Sequence, residues 1–438
     1  MKYRIGVLML VCASVFFAVR GNTMLPYIRC ADFKPLYGGA RCLLHNQDPY
    51  DIVQVRDEYL RGGGDPEYKV AFRPYNAGYP PSSLLLVLPF ALLPWKFAYI
   101  AWMLLSTAAL VLATFLIADL CAPRDALSHN GAARNGSLAV IALLAIFLAT
   151  SKILIVIGQP AALAIALAVI AIWCLLRDRF GLLAILCFAI SLALKPTIAC
   201  FLILYFLLAG GLYRRRAWQI LAVTAALAIA GGAWATLTPN AAHWPAELRA
   251  NTAGMAAPGN SSDAGPANPE VLQIVNLQTV TSLLLRSRLA YNAVALGLCT
   301  ALLIVWGVLI LRSKPTWQRD LLALAACANL SLLPLYHRGY DARLLLLAFP
   351  AAALLFAGRQ RRLGMTALLL TAWQTFVTST LFLNIELHIA SQLHAASPVV
   401  TILALRVVPL SLLAGAVFYL GCMACVLRPE TPVCESLI

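Results

Sequence analysis

Long, uninterrupted apolar runs recur along the whole sequence, and they constrain the fold more than any other feature. Hydrophobic residues make up 61% of the 438 residues and charged residues only 12%, whereas a soluble domain has about 25% charged residues. This excludes a soluble globular enzyme, a disordered chain and a fibrous repeat. Continuous runs also exclude a membrane β-barrel, whose strands alternate in polarity. The sequence therefore predicts an all-α polytopic membrane protein that forms a single integral-membrane domain over residues 1–438.

The apolar runs predict about twelve crossings, since roughly 20 apolar residues span a bilayer as a helix and several runs are short enough to require tilted or half-buried helices. The runs are 5–19, 97–120, 138–157, 161–176, 181–194, 197–212, 218–237, 289–311, 321–335, 344–357, 365–383 and 399–427. A further run, 82–94, is too short to cross and predicts a re-entrant or interfacial helix. Lys2 and Arg4 before the first run are typical of a signal peptide, but no clear cleavage site follows, so we interpret this run as an uncleaved helix.

The distribution of cations predicts the orientation. The net charge is +15, and Lys and Arg cluster in short loops, which favours the positive-inside rule over a nucleic-acid partner. With both termini in the cytoplasm, the inner loops hold Arg124, Arg134, Arg177, Arg179, Arg214, Arg215, Arg216, Arg312, Lys314, Arg319, Arg359, Arg361, Arg362 and Arg428. The long polar stretches 20–81 and 238–288 then both lie outside, where we expect them to form an extracytoplasmic cap.

The twelve cysteines give no sign of a metal site or of a disulfide framework. Nearly all lie inside apolar runs or at their ends, and Cys422 and Cys425 form a lone CxxC pair without a second pair, which argues against zinc. Cys30 and Cys42 share the first outer loop, but the pattern does not favour a disulfide between them.

The first outer loop contains three features of interest. Asp32 follows the first predicted helix, and composition alone favours a solvated loop residue over a working base. Residues 37–51 predict an amphipathic surface helix that is ended by a turn. Tyr79 precedes Pro80 and Pro81, which are typical of the entry to a helix.

Three further polar features interrupt the apolar runs on the outer side. Gln159 lies in a tight turn and marks a helix boundary. Lys195 either extends to the interface or meets an anion, because a lysine within hydrocarbon costs several kcal/mol. The turn 336–343 favours a functional interpretation, since a simple turn would use Gly and Ser. It contains an imidazole, two guanidinium groups and a carboxylate, in His337, Arg338, Asp341 and Arg343, and Arg suits the recognition of phosphate. Motifs of soluble nucleotide or nucleotide-sugar domains are absent from the sequence.

These features occur in a fixed order along the chain. The order is a DFxxxYGGA loop (residues 32–40), a DPY turn (48–50), a YxxxYPP entry (75–81) before LPFALLP, a GQ turn (158–159), LKP (194–196), VNLQ (275–278) and HxxYD (337–341). This order resembles glycosyltransferase family 87, membrane mannosyltransferase-like proteins of the GT-C superfamily. The superfamily includes polyprenol-phosphate-mannose-dependent phosphatidylinositol mannoside mannosyltransferases.

The resemblance implies a GT-C-type fold in the cell membrane and an inverting transfer of a sugar, with mannose favoured, on the outer face. The donor would be a polyprenyl-phosphate sugar and the acceptor a glycolipid or glycan, with membrane lipids as partners and no nucleic acid. Asp32 would be the general base. The substrate-binding candidates are Lys195, His337, Arg338, Asp341, Tyr79, Gln159, Arg73 and Arg343, and Asp341 is also the competing base. We expect neither a metal nor a cofactor, since no pair of acidic residues has the spacing to hold a divalent metal ion and a lipid monophosphate leaving group needs none.

Two alternatives to this function remain. The enzyme could use another sugar, such as arabinose or glucose. The chain could instead be a transporter or flippase for a lipid-linked sugar, but transporters usually contain two related halves, and the sequence has no convincing internal repeat.

The predicted orientation can be tested by cysteine labelling in intact cells. In a background without accessible native cysteines, Ser261→Cys should react with a membrane-impermeant thiol reagent added outside, and Ser128→Cys should react only after the membrane is permeabilised. Labelling of position 128 from outside would contradict the orientation.

Overall fold

The structure is a computed structural model that describes residues 2–22, 30–66, 70–122, 131–358, 361–392 and 397–426. Helices are the regular secondary structure of this part of the chain, and one isolated β-bridge joins Ile274 and Arg338. Its α-helices are α1 Lys2–Asn22, α2 Phe33–Leu44, α3 Ile52–Arg61, α4 Pro81–Ala91, α5 Trp95–Cys121, α6 Gly131–Ala149, α7 Lys152–Val156, α8 Pro160–Leu176, α9 Gly181–Leu194, α10 Pro196–Ala209, α11 Gly211–Leu237, α12 Trp244–Met255, α13 Gln278–Leu284, α14 Arg288–Arg312, α15 Trp317–Ser331, α16 Phe349–Ala357, α17 Arg361–Val377, α18 Thr380–Gln392, α19 Pro398–Leu405 and α20 Val407–Val426. Short 3-10 segments cover Val70–Phe72, Pro239–Ala241, Val271–Gln273 and Gly339–Ala348.

The protein is embedded in a membrane. Within the described residues, six helical segments are long and apolar enough to cross it, and a seventh results if α17 and α18, which meet at a bend of 67°, form one span. The six are Trp95–Cys121, Leu138–Val156, Gly211–Leu237, Arg288–Arg312, Gly339–Ala357 and Val407–Cys425. Five shorter apolar helices of 10–17 residues accompany them in the same part of the chain. The polytopic helical class is thus confirmed, whereas the count of twelve crossings and the GT-C fold stay predictions.

Two predicted crossings deviate from a continuous helix where a polar side chain binds a backbone carbonyl. Predicted run 138–157 stays a candidate span as Leu138–Val156, but its helix is interrupted after α6, where the Ser151 hydroxyl donates to the Phe147 carbonyl at 2.6 Å. Predicted run 365–383 bends after α17, where the Arg343 guanidinium donates to the Thr378 carbonyl at 2.9 Å. A carbonyl taken by a side chain is a usual cause of such bends. By contrast, run 181–194 coincides with α9.

The prediction of a surface helix in the first loop is wrong in one respect. The helix exists as α2, but ten of its twelve residues are buried, and it packs against α3 and α4. Its polar side chains bind protein rather than water: the Arg41 guanidinium donates to the carbonyls of Glu58 at 3.2 Å and Ala91 at 3.1 Å. Because these partners satisfy the polar face, the amphipathic pattern does not imply exposure here. Cys30 and Cys42 are both buried, and no disulfide joins them.

The two long polar segments, which we call the cap segments (described residues 30–66 and 70–81, and 238–287), lie against each other. Asn251 of α12 donates through one amide nitrogen to the carbonyls of Tyr50 and Ala77, both at 2.9 Å. Asn240 donates to the Asn46 carbonyl at 2.7 Å. Side-chain amides of the second segment thus fix the loops of the first.

The entry to α4 is fixed against α9 and α11. The hydroxyls of Ser82 and Ser83 donate to the Ala193 carbonyl at 2.9 and 3.1 Å, at the end of α9. On the other side, Gly231 of α11 approaches so closely that an added Cβ would lie 2.7 Å from the carbonyl oxygen of Pro81. This three-way contact holds the first cap segment on the helices of the membrane domain.

The close approach at Gly231 predicts a different response at two neighbouring glycines. Gly231→Ala should lower the free energy of unfolding by about 1–3 kcal/mol, because the new methyl group would overpack against the Pro81 backbone. Gly232→Ala should be neutral or stabilising, since its Cβ would lie 3.5 Å from the Trp244 ring and alanine is the better helix former. Thermal unfolding of both variants in the same detergent checks this, and equal effects would contradict it.

Candidate functional site

A polar cavity of about 320 Å³ lies where the cap segments meet the turns between helices. Its volume is within the range of small-molecule sites, about 300–1,000 Å³. Six of the residues singled out from the sequence line it, although they are far apart in the chain: Asp32, Arg73, Tyr79, Gln159, Lys195 and Arg338.

The backbone around Asp32 is fixed on the turn that joins α7 to α8. The Asp32 amide donates to the Ile157 carbonyl at 2.8 Å, and the Cys30 amide donates to the Val156 carbonyl at 2.7 Å. The next residue of the turn, Gly158, has φ +63°, and a Cβ there would lie 3.0 Å from the Cys30 Cα. Only glycine accommodates both this conformation and this contact. The GQ turn therefore sets the position of Asp32.

Gln159 holds the Asp32 carboxylate. Its amide nitrogen donates to Asp32 Oδ2 at 2.6 Å and to the Tyr340 hydroxyl at 2.8 Å. Its amide oxygen accepts from the Ala161 amide at 3.4 Å, which fixes the orientation of the side chain. Although Asp32 precedes α2, its side chain does not cap that helix, so the carboxylate is directed to Gln159 instead.

The electrostatic environment makes Asp32 a suitable base. Burial raises the pKa of its carboxyl group to about 6, although the positive charges of Arg338 and Lys195 and the hydrogen bond from Gln159 oppose that shift. Within the described part of the chain, Asp32 forms no ion pair, whereas Glu270 and Asp341 each pair with a cation at 2.7 Å. A carboxylate that titrates near neutral pH can accept a proton in catalysis.

Lys195 lies at the break between α9 and α10. Its ammonium group is 2.7 Å from Asp341 Oδ1 and 5.6 Å from the centre of the Tyr340 ring. Its side chain is 19% exposed and that of Asp341 only 2%. Asp341 thus lies behind Lys195 and supports it, and the ammonium group faces the cavity.

The cavity lining also contains two guanidinium groups that share one carboxylate. Glu270 accepts from Arg73 at 2.7 Å and from Arg338 at 2.7 Å. Burial alone would raise the pKa of Glu270, but these two partners outweigh it and lower the pKa. Arg338 also donates to Gln273 at 2.9 Å and to the Tyr336 hydroxyl at 2.6 Å.

The remaining candidates lie outside the cavity lining. His337 is fully buried, with Nδ1 3.3 Å from Asp341 Oδ2. Arg343 is also buried and lies over the Phe147 ring, with 4.6 Å between the guanidinium carbon and the ring centre. Arg343 therefore contacts the helices of the membrane domain rather than the cavity, and His337 reaches the cavity only through Asp341 and Lys195.

Among the lining residues that the sequence does not single out, Tyr340 and Glu270 each bind one or more of the candidates. Tyr340 accepts the hydrogen bond from Gln159, and its sequence signal was its place in the HxxYD element. Glu270 is one of three carboxylates in the loop 238–288, with Glu247 and Asp263, and nothing in the local sequence distinguishes it. Among the described residues, no group of three or more His, Cys, Asp or Glu side chains lies close enough to hold a metal ion.

A family model described as "Glycosyltransferase family 87" matches residues 78–336, more than half of the chain. The match includes Tyr79, Gln159 and Lys195, and it ends directly before His337. Asp32 precedes the matched residues. It is the fold that brings Asp32 into contact with matched residues, through its hydrogen bond with Gln159. A comparison with curated proteins found no match.

The buried ion pair of Lys195 and Asp341 predicts that removing the charge of Asp341 strongly lowers the free energy of unfolding. Asp341→Asn should lower the free energy of unfolding by about 3–5 kcal/mol, because it leaves a largely buried ammonium group without its counter-charge. The matched control is Asp119→Asn, which removes the Arg177–Asp119 pair, in which the Asp119 side chain is 49% exposed, and should cost about 1 kcal/mol or less. Denaturant unfolding in detergent measures both, and a cost for Asp341→Asn no greater than that of the control would contradict the prediction.

Proposed function

We propose that this protein transfers a sugar from a polyprenyl-phosphate donor to a hydroxyl group of a glycolipid or glycan. The premise is that the chain belongs to glycosyltransferase family 87 and is a membrane-embedded glycosyltransferase. The transfer takes place on the extracytoplasmic face of the cell membrane and inverts the anomeric centre. The observation that carries the proposal is the carboxylate of Asp32, with a pKa of about 6, in a cavity that also presents Lys195, Arg73 and Arg338. Its partners are the sugar donor, the acceptor and the lipids of the membrane that surround it.

Asp32 acts as the general base. A hydroxyl group is a weak nucleophile and needs a base within hydrogen-bond reach as it attacks. Gln159 occupies Oδ2, so Oδ1 remains to accept the proton. The acceptor oxygen then bonds to the anomeric carbon while the bond from that carbon to the phosphate oxygen breaks. One displacement inverts the configuration and requires no covalent intermediate.

The cations of the cavity stabilise the departing lipid phosphate. Charge-assisted hydrogen bonds to phosphate are the strong ones, and Lys195, Arg73 and Arg338 are each held in place by a carboxylate at 2.7 Å. Preorganised cations of this kind stabilise charge that develops in the transition state. The mechanism uses no metal ion and no cofactor.

Mannose is the proposed sugar, and a GT-C-type fold the proposed architecture, both on the resemblance to the family. Arabinose and glucose are the alternatives. Transport of a lipid-linked sugar is not proposed, because the chain is a glycosyltransferase.

A donor panel tests the proposal directly. Purified protein in lipid nanodiscs is assayed with polyprenyl-phosphate mannose, glucose and arabinose and with a glycolipid acceptor, always in excess chelator. We expect transfer from the mannosyl donor without added metal. Transfer only from a soluble nucleotide sugar, or only after magnesium or manganese is added, would contradict the proposal.

Asp32→Asn should reduce kcat by about 10²- to 10⁴-fold, the usual contribution of a general base, and leave donor binding intact. Asp57→Asn, an exposed carboxylate in α3 of the same cap segment, is the control and should behave as wild type. If Asp32→Asn turns over normally while Asp341→Asn is inactive, the base is Asp341 instead.

The same assignment fixes the pH dependence. Since Asp32 must be deprotonated to act, kcat/KM should rise with pH through about 6 and level above that value. Gln159→Leu removes a hydrogen bond that lowers the pKa of Asp32. In this variant the rise of kcat/KM should therefore occur at higher pH.

A further inference from the structure

A second cavity, of about 340 Å³, adjoins the first. Five residues line both cavities: Arg73, Asn76, Met255, Ser261 and Glu270. The ion pair of Arg73 and Glu270 thus belongs to the wall that the two cavities share. Asp32 and Lys195 line only the first cavity, so the second lies beside the reaction site rather than in it.

Tyr75 lines the second cavity in a backbone conformation that few residues adopt. Its φ is +68°, which is unfavourable for a bulky side chain, and such outliers concentrate at functional sites. The ring lies against Gly254 of α12, where an added Cβ would come within 2.6 Å of the ring Cγ. Tyr75 nevertheless stays 43% exposed. Tyr75 thus has a strained backbone and packs against a position where only glycine fits. Together these two features place an aromatic ring at the cavity.

Hydrogen-bonding groups accompany the ring. The Asn260 side chain donates to the Gly254 carbonyl at 2.7 Å, while its amide oxygen accepts no hydrogen bond from the described residues. Asn268, in the same wall, donates to the Asp263 carbonyl and accepts from the Glu270 amide, both at 2.8 Å. Both the nitrogen and the oxygen of the Asn268 amide are thus engaged within the loop, whereas the Asn260 amide oxygen is available to accept from a ligand hydroxyl.

An aromatic face beside amide and guanidinium groups suits a carbohydrate. The face of an aromatic ring is electron-rich and attracts the polarised C–H bonds of a sugar ring, while the hydroxyls of the sugar bind the polar groups. We propose that the second cavity holds a sugar unit that the acceptor already carries, stacked on Tyr75, so that its reacting hydroxyl crosses the shared wall toward Asp32. This inference rests on the proposed transfer reaction and assigns the place where the sugar of the acceptor binds.

The experiment compares two acceptors on the same lipid anchor, one ending in a hexose and one in glycerol. Tyr75→Leu should raise KM for the hexose acceptor roughly tenfold, leave KM for the donor within about twofold, and leave the glycerol acceptor unaffected. Tyr75→Phe keeps the ring and should resemble wild type. The matched control is Phe180→Leu, since Phe180 also has a positive φ, +52°, and is 65% exposed but lies in the turn between α8 and α9.

Binding without turnover separates this inference from the proposed reaction. Saturation-transfer NMR with methyl glycosides of mannose and glucose should give a signal with wild type and with Phe180→Leu, and lose most of it with Tyr75→Leu. That result supports the sugar site even if no donor is turned over. An unchanged signal and unchanged acceptor KM in Tyr75→Leu would overturn it. A rise in donor KM alone would also overturn it, as would an equal effect of Phe180→Leu, which would indicate a membrane-surface role for exposed rings.

Discussion

The site depends on one close contact between the first cap segment and the turn that joins α7 to α8. Two backbone hydrogen bonds join residues 30 and 32 to this turn, and the contact is close enough that only glycine fits at position 158. The next residue, Gln159, uses the same turn to hold Asp32 and Tyr340. A single turn therefore brings together Asp32, from the start of the chain, and Tyr340, from its last third. This contact gives the cavity a fixed arrangement of polar side chains.

The charges around the cavity follow a second constraint, the cost of removing ions from water. Lys195, Arg73 and Arg338 each have a carboxylate at 2.7 Å, and these pairs offset part of the desolvation. Asp32 is the exception, with an amide partner and the opposing effect of burial, so its pKa is about 6. The same pairing that stabilises the cations leaves one carboxylate able to take up a proton near neutral pH.

Sequence patterns located the helices well where apolar side chains decide the structure, as in α9, most of whose residues are buried in the protein. They failed where side chains satisfy polar groups inside the protein. The amphipathic pattern predicts an exposed polar face for α2, but Arg41 binds two backbone carbonyls there. The helix boundary at Thr378 was likewise invisible, because it depends on Arg343, 35 residues away in the chain.

The sequence by itself determined the helical membrane class, the family and six residues of the cavity lining, because apolar run length and the order of short motifs are properties of the linear chain. Only the tertiary structure decided which carboxylate each cation meets, that Arg343 faces the helices of the membrane domain, and that Glu270 joins two guanidinium groups. The physical reason is that charge pairing and burial depend on distances between residues far apart in the sequence. Those distances are fixed by packing, and the local pattern contains no trace of them.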